Sequence, residues 1–394
     1  MPDAFRYFVS NETGPHRAMR PVLRLQTYWL LALVFAVTAG AQPVVVPPAA
    51  IPSPSRYAEV VSEARALAWR HYLEQGWPGL SIAVSVDGQT VWAEGFGYAD
   101  LEQRVPVWPT TKFRVGSISK PLTAAAAALL YAEGRLDVDA PVQRYVPAFP
   151  EKRWPVTTRQ LGGHLAGIRH YRGDEFLLRE HFDTVVDGLA LFAADTLLFE
   201  PGTRYRYSSY GWNLISAVIE GAAGQDFLRV MQERVFDPLG MRNTVADHVD
   251  SLITQRVRFY ARDEAGRLVN APFVDNSYKW AGGGFLSTTE DLLRFANAHL
   301  GDDFLPPAAR TLLFTEQRTS AGEGVGYGFG WALGTDAAGR RVISHSGGSV
   351  GGTSILLIQP ETRVVVVALV NLSGADLRLG REVFDRFVAA AAAE

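Results

Sequence analysis

The 394-residue chain contains no cysteine. This excludes disulfide bonds, thiolate nucleophiles and cysteine-ligated metals, and says nothing by itself about the redox compartment. Charge of one sign is also scarce. Thirty-eight basic and 41 acidic residues leave a formal net charge of −3, and no basic stripe or zinc-finger spacing marks a nucleic-acid partner. The histidines show no metal-ligand spacing, and the 37 glycines form no Rossmann or P-loop fingerprint, so no metal and no cofactor are expected. Long apolar runs are missing too. The run at residues 28–37 is shorter than the roughly 20 residues a membrane span needs.

What is present is an ordinary globular composition, 47% apolar and 20% charged, with length for two or three domains. Arg17, Arg20 and Arg24 precede the short apolar run, and Ala39-Gly40-Ala41 offers a small-x-small cleavage site. Residues 1–41 therefore read as a secretory signal peptide, with Met19 as a more typical start than Met1. The expectation is a secreted or periplasmic protein. An uncleaved leader would instead tether it to the inner membrane. Residues 42–56 carry Pro43, Pro47, Pro48, Pro52 and Pro54 and read as an extended spacer.

Residues 57–112 open an α/β domain. An amphipathic helix over 57–74 ends at Gly76 and Pro78, and two apolar runs flank the hairpin turn Asp87-Gly88. Residues 113–320 are mainly helical. Thr157 to Leu161 looks like a helix start, helices follow over 213–222 and 225–235, and Ser287 and Glu290 have capping-box spacing before another. Residues 321–394 return to strands near 326–333, 341–345, 353–359 and 363–370, then close on a helix over 377–390. Consecutive strands without crossover helices pair antiparallel, and a lone N-terminal hairpin is marginal. The predicted fold class is α/β plus all-α. One antiparallel sheet is built from both chain ends and flanked by N- and C-terminal helices, with a large helical insertion and a site between the two parts.

Three polar clusters could carry chemistry. Ser117 and Lys120 lie three apart at the head of an apolar segment, so they share one face of a first turn. A hydroxyl beside an amine is a nucleophile with a general base. Tyr207-Ser208-Ser209-Tyr210-Gly211 precedes an apolar helix. Tyr207 can serve as a base only where cations such as Lys120 or His345 stabilise its phenolate. His345-Ser346-Gly347-Gly348 ends a strand in glycine, whose bare backbone can offer N–H groups to an oxyanion. Each has a plainer reading alone: a cap serine with a solvated lysine, a loop of rings over a helix, a satisfied histidine beside a bulge. His164 reads as a buried hydrogen-bonding group.

These segments, with Pro78-Gly79-Leu80-Ser81-Ile82, Gly95-Phe96-Gly97-Tyr98, Phe113-Arg114-Val115-Gly116 and Gly282-Gly283-Gly284, resemble the serine beta-lactamase and penicillin-binding-protein family over about Gly79 to Asn371. The likeness is nearest to its mitochondrial serine beta-lactamase-like branch and that branch's bacterial relatives. The resemblance implies a beta-lactamase/transpeptidase-like fold, a nucleophile at Ser117, a proton-shuttling Lys120 and a tyrosine base at Tyr207. It also implies oxyanion donors at the Ser117 and Gly348 amides and a substrate strand at His345, Ser346 and Gly347. Two positions depart from the pattern. Ser209 stands where the family often has Asn, and His345 replaces a Lys whose charge it would carry only below about pH 6.5. Both favour a serine hydrolase acting through an acyl-enzyme on a small peptide, amide or ester. The alternatives are a beta-lactamase or D-Ala-D-Ala carboxypeptidase, and a non-catalytic cell-envelope binding or assembly module. A homo-oligomer is left open.

Overall fold

A computed structural model of the chain describes residues 55–393. The expected leader and nearly all of the proline-rich spacer lie outside the described residues. The framework is α1 (Ala58–Gln75), β1 (Gly79–Val86), β2 (Gln89–Asp100), β3 (Val105–Pro106), α2 (Ser119–Ala132), α3 (Ser209–Ala223), α4 (Thr289–Leu300), β4 (Ala332–Thr335), β5 (Arg341–Ser349), β6 (Gly352–Gln359), β7 (Val364–Val370) and α5 (Arg378–Ala392). Its seven strands form one sheet in the order β3–β2–β1–β7–β6–β5–β4, antiparallel throughout. The two chain ends meet where β1 pairs with β7, Ala83 opposite Val367.

The centre of the sheet explains why β7 is apolar at every position. Side chains alternate between faces along a strand, and both faces here are covered. Val364, Val366, Ala368 and Val370 join Val61 and Leu67 of α1 and Phe384 and Phe387 of α5 in one core. Val365, Val367 and Leu369 join Leu292 and Phe295 of α4 and the helical insertion in the other. Strand β1 obeys the same rule, with Leu80, Ile82 and Val84 toward the terminal helices. Small residues fill its other face, where Ser81 Oγ meets Thr289 Oγ1 at 3.1 Å. Among the described residues no helix is long and apolar enough to cross a membrane.

The expected architecture is present, with local differences. The helix start expected at Thr157 is present, closed by a capping box with Gln160. Helix α4 is capped one residue later than expected, by Thr288, which accepts from the Asp291 N–H at 3.2 Å. The Ser287 hydroxyl is taken up by Thr244 at 2.7 Å. The alternating stretch from Gly326 is strand only from Ala332, because Gly326 and Gly330 sit at φ +64° and +82°, outside the extended region. The helix expected over 225–235 is Phe227–Met231 followed by a π turn, Gln232–Phe236.

Candidate active site

Helix α2 is buried without interruption from Ser119 to Ala128, so Lys120 has no route to solvent. An amine in such a place must bond to the protein. Its Nζ lies 2.9 Å from Ser117 Oγ, 3.1 Å from Ser209 Oγ and 2.7 Å from the Gly282 carbonyl. Burial, and after it the charge of Lys279, hold the Lys120 pKa well below the ordinary lysine range. A neutral amine fits these partners. Two N–H groups serve Gly282 and Ser209, and the lone pair is left for the Ser117 hydroxyl proton.

Ser117 sits in a 3-10 turn, Gly116–Ile118, that precedes α2. The Val115 N–H donates to the Phe285 carbonyl at 3.1 Å, fixing the entry to the turn. Glycine is required on both sides of the contact with β5. Gly116 has φ +49°, and a Cβ there would stand 2.6 Å from the Gly348 carbonyl oxygen. A Cβ on Gly347 would stand 2.0 Å from the Val115 carbonyl oxygen and 3.0 Å from the Ser117 nitrogen. Strand β4 pairs with β5 only as far as Ser344, while β6 follows β5 to Ser349. From His345 to Ser349 one edge of β5 therefore carries no strand, and along it Ser346 and Gly348 are exposed.

Tyr207 arrives from the end of the loop before α3. Ser208 caps that helix, accepting from the Gly211 N–H at 3.0 Å and donating to the Arg169 carbonyl at 2.7 Å. Two histidines pin the backbone that follows Tyr207. His164 Nδ1 accepts from the Ser208 N–H and His170 Nδ1 from the Ser209 N–H, each at 3.1 Å. The His164 ring lies 4.2 Å from the Tyr207 ring. Lys120 Nζ is 4.9 Å from the centre of that ring, and the phenol interacts with the Ser117 and Ser209 hydroxyls. Burial pushes the Tyr207 pKa above its usual value. It is a neutral phenol across the physiological range, an acid in waiting and not a standing base.

His345 corrects an expectation. Its Nδ1 is 2.7 Å from the Ser346 carbonyl, which can only accept, so Nδ1 carries the proton. Nε2 then accepts from the Tyr327 hydroxyl at 2.8 Å. Burial, the largest cause, lowers its pKa to about 3. His345 is a neutral hydrogen-bonding group and supplies no field to Tyr207. The site thus joins Ser117, Lys120, Tyr207 and Ser209 around one amine and presses Gly347 and Gly348 against the turn that carries Ser117. Sequence reasoning read His164 as the buried hydrogen-bonding group it is, but missed the Gly282 carbonyl, His170, Tyr327 and Lys279. The last lies in a stretch without periodicity, 243–280.

A family model described as Beta-lactamase matches residues 58–390. The human protein named "Serine beta-lactamase-like protein LACTB, mitochondrial" is 36% identical, covering 77% of this chain and 73% of its own. The octameric penicillin-binding protein homologue from Pyrococcus abyssi superposes with a TM-score of 0.73 at 27% identity, covering 84% of this chain and 77% of its own. EstCE1, described as a hydrolase with promiscuous acyltransferase activity, gives 0.72 at 25% identity over 83% of this chain and 98% of its own. The chain belongs to the beta-lactamase family, with the fold and acyl-enzyme chemistry of its serine hydrolases.

Proposed function

We propose that the protein hydrolyses small peptide, amide or ester carbonyls through an acyl-enzyme on Ser117, with lactams as poorer substrates. The observation that carries this reading is the buried Lys120 amine on the Ser117 hydroxyl, poorly able to hold a proton. Ser117 Oγ attacks the carbonyl carbon while its proton passes to Lys120. The oxyanion is held by the Ser117 and Gly348 amides. Tyr207 gives its proton to the leaving group and is reprotonated from Lys120. Water then attacks the acyl-enzyme by the reverse sequence, and Ser117 recovers its proton. Neutral His345 brings no charge to a substrate carboxylate, which disfavours the lactamase alternative. The hydrolase with acyltransferase activity among the similar structures supports acyl transfer as the shared chemistry.

Fluorophosphonate labelling with peptide mapping tests the reading, and label on any residue but Ser117 refutes it. An aryl ester, a peptide amide and a chromogenic lactam, compared on wild type and Ser117→Ala, rank the substrate classes. Absence of both acylation and turnover across that panel favours the non-catalytic module. On the leader pattern we also propose export from the cytoplasm; an intact N-terminus on protein retained in the cytoplasm contradicts it.

A further inference from the structure

The chain has only four lysines, at 112, 120, 152 and 279. Two of them, Lys120 and Lys279, are essentially without exposure. The first is accounted for by the proton transfers above. Lys279 Nζ has no hydrogen-bond acceptor among the described residues. Instead it faces three rings, 4.3 Å from the centre of Phe176, 5.1 Å from Tyr278 and 5.8 Å from Tyr171. Ring faces favour a cation over a neutral amine and ask for no acceptor.

This box adjoins the nucleophile on two paths. Lys279 leads directly into the short helix Trp280–Gly283, whose Gly282 carbonyl accepts from Lys120. The Tyr171 hydroxyl interacts with that of Ser209, which is itself a partner of Lys120. The other charged groups near Lys279 are already matched. Asp247 is held by Arg114 at 2.6 Å and by Arg256 at 3.3 Å. Glu175 is held by Arg169 at 2.6 Å. His170 is pushed toward neutrality, to about 4, chiefly by burial.

We propose that Lys279 is a positioning residue for the reaction: its aromatic box takes the single proton that the two buried amines share, so that Lys120 is left free to deprotonate Ser117. The inference rests on the serine hydrolase reading. A charge on Lys279 opposes one on Lys120 in so dry a region, so the pair holds one proton, and it settles where the host favours charge. Lys120 has hydroxyls and one carbonyl around it, whereas Lys279 has three ring faces. The shifts agree in direction. Lys279 is lowered to about 7 by burial and then by Arg114, which leaves it titrating at neutrality, and its charge is among the causes that depress Lys120. The positive charge of the site thus comes from position 279 and not from His345.

The test is the pH dependence of the fluorophosphonate labelling rate at Ser117. Removing the charge with Lys279→Met should move the acidic limb up by about one pH unit. Labelling then slows about tenfold on that limb and keeps the wild-type rate on the alkaline plateau. Lys279→Arg, which keeps the charge, should leave the limb in place. A limb unmoved by Lys279→Met, or moved equally by both variants, overturns the proposal. Should the Met variant not fold, side-chain 15N lysine spectra of the wild type decide, with Lys279→Arg identifying the signal. One buried amine titrating near neutrality, with the other neutral at that pH, supports the proposal; both titrating above pH 9 overturns it. Labelling that survives Ser117→Ala defeats the hydrolase reading, while the lysine spectra still report where the proton sits.

Discussion

Replacing Lys120 by Met should abolish function and raise stability, and the gain should shrink as pH rises. The mechanism requires Lys120 to be a free amine at the assay pH. In the unfolded chain a lysine titrates near 10.4, so holding it neutral at pH 7.5 costs about 4 kcal/mol of folding free energy. Met fills nearly the same volume without that cost. Against this, the Gly282 carbonyl loses its donor, a loss of about 1–3 kcal/mol, while Ser209 keeps its interactions with Tyr171 and Tyr207. The difference is a net stabilisation of about 1–3 kcal/mol at pH 7.5. The sign of the pH dependence follows from linkage. The folded-state pKa lies below the unfolded one, so between the two the unfolded chain binds more protons and wild-type stability rises with pH. The advantage of the Met variant should therefore fall by about 1.4 kcal/mol per pH unit up to about pH 10. Denaturant unfolding of both proteins at pH 7.5, 8.5 and 9.5 measures it, alongside Ser117 labelling, which should drop by about 10²–10⁴-fold. A stability gap independent of pH would refute the claim that this amine is neutral in the folded protein.

Tyr207→Phe should slow amide hydrolysis about 100-fold and leave an aryl ester with a good leaving group nearly unaffected, because only the amide needs the phenol's proton; parallel assays of the two substrates check it. Gly347→Ala drives a Cβ into the Val115 carbonyl and should cost at least about tenfold in labelling rate by moving the Ser117 turn, read by labelling kinetics beside a melting curve. His345→Gln should leave the acidic limb of the rate profile where it is, since His345 is already neutral down to about pH 3; a limb near 6.5 that disappears in the variant would contradict this.

The pairing of Ser117 with Lys120 was legible because spacing within one turn fixes it, even though the turn proves to be 3-10 at Ser117. The strand ladders were legible in the same way. Val364 to Val370 can be buried on both faces only at the centre of a sheet, and Asp87-Gly88 closes a hairpin wherever it occurs. Tyr207 could be named from the residue cluster, but its contact with Lys120 spans 87 positions and is set by how α3 packs beside α2. Lys279 left no local trace, since neither period nor motif marks a lysine whose partners are ring faces from the loop at 171–176 and from its own neighbour Tyr278.

The amino-acid sequence alone determined the layered architecture, the pairing of Ser117 with the Lys120 amine, and the glycines that let a strand press against them. These depend on periodicity, turn chemistry and the bare backbone of glycine, which act over a few residues. Tertiary structure alone decided which groups carry charge. His345 is neutral, Tyr207 keeps its proton and the buried Lys120 and Lys279 amines are both pushed down, because a pKa answers to burial and to charges brought close from distant parts of the chain.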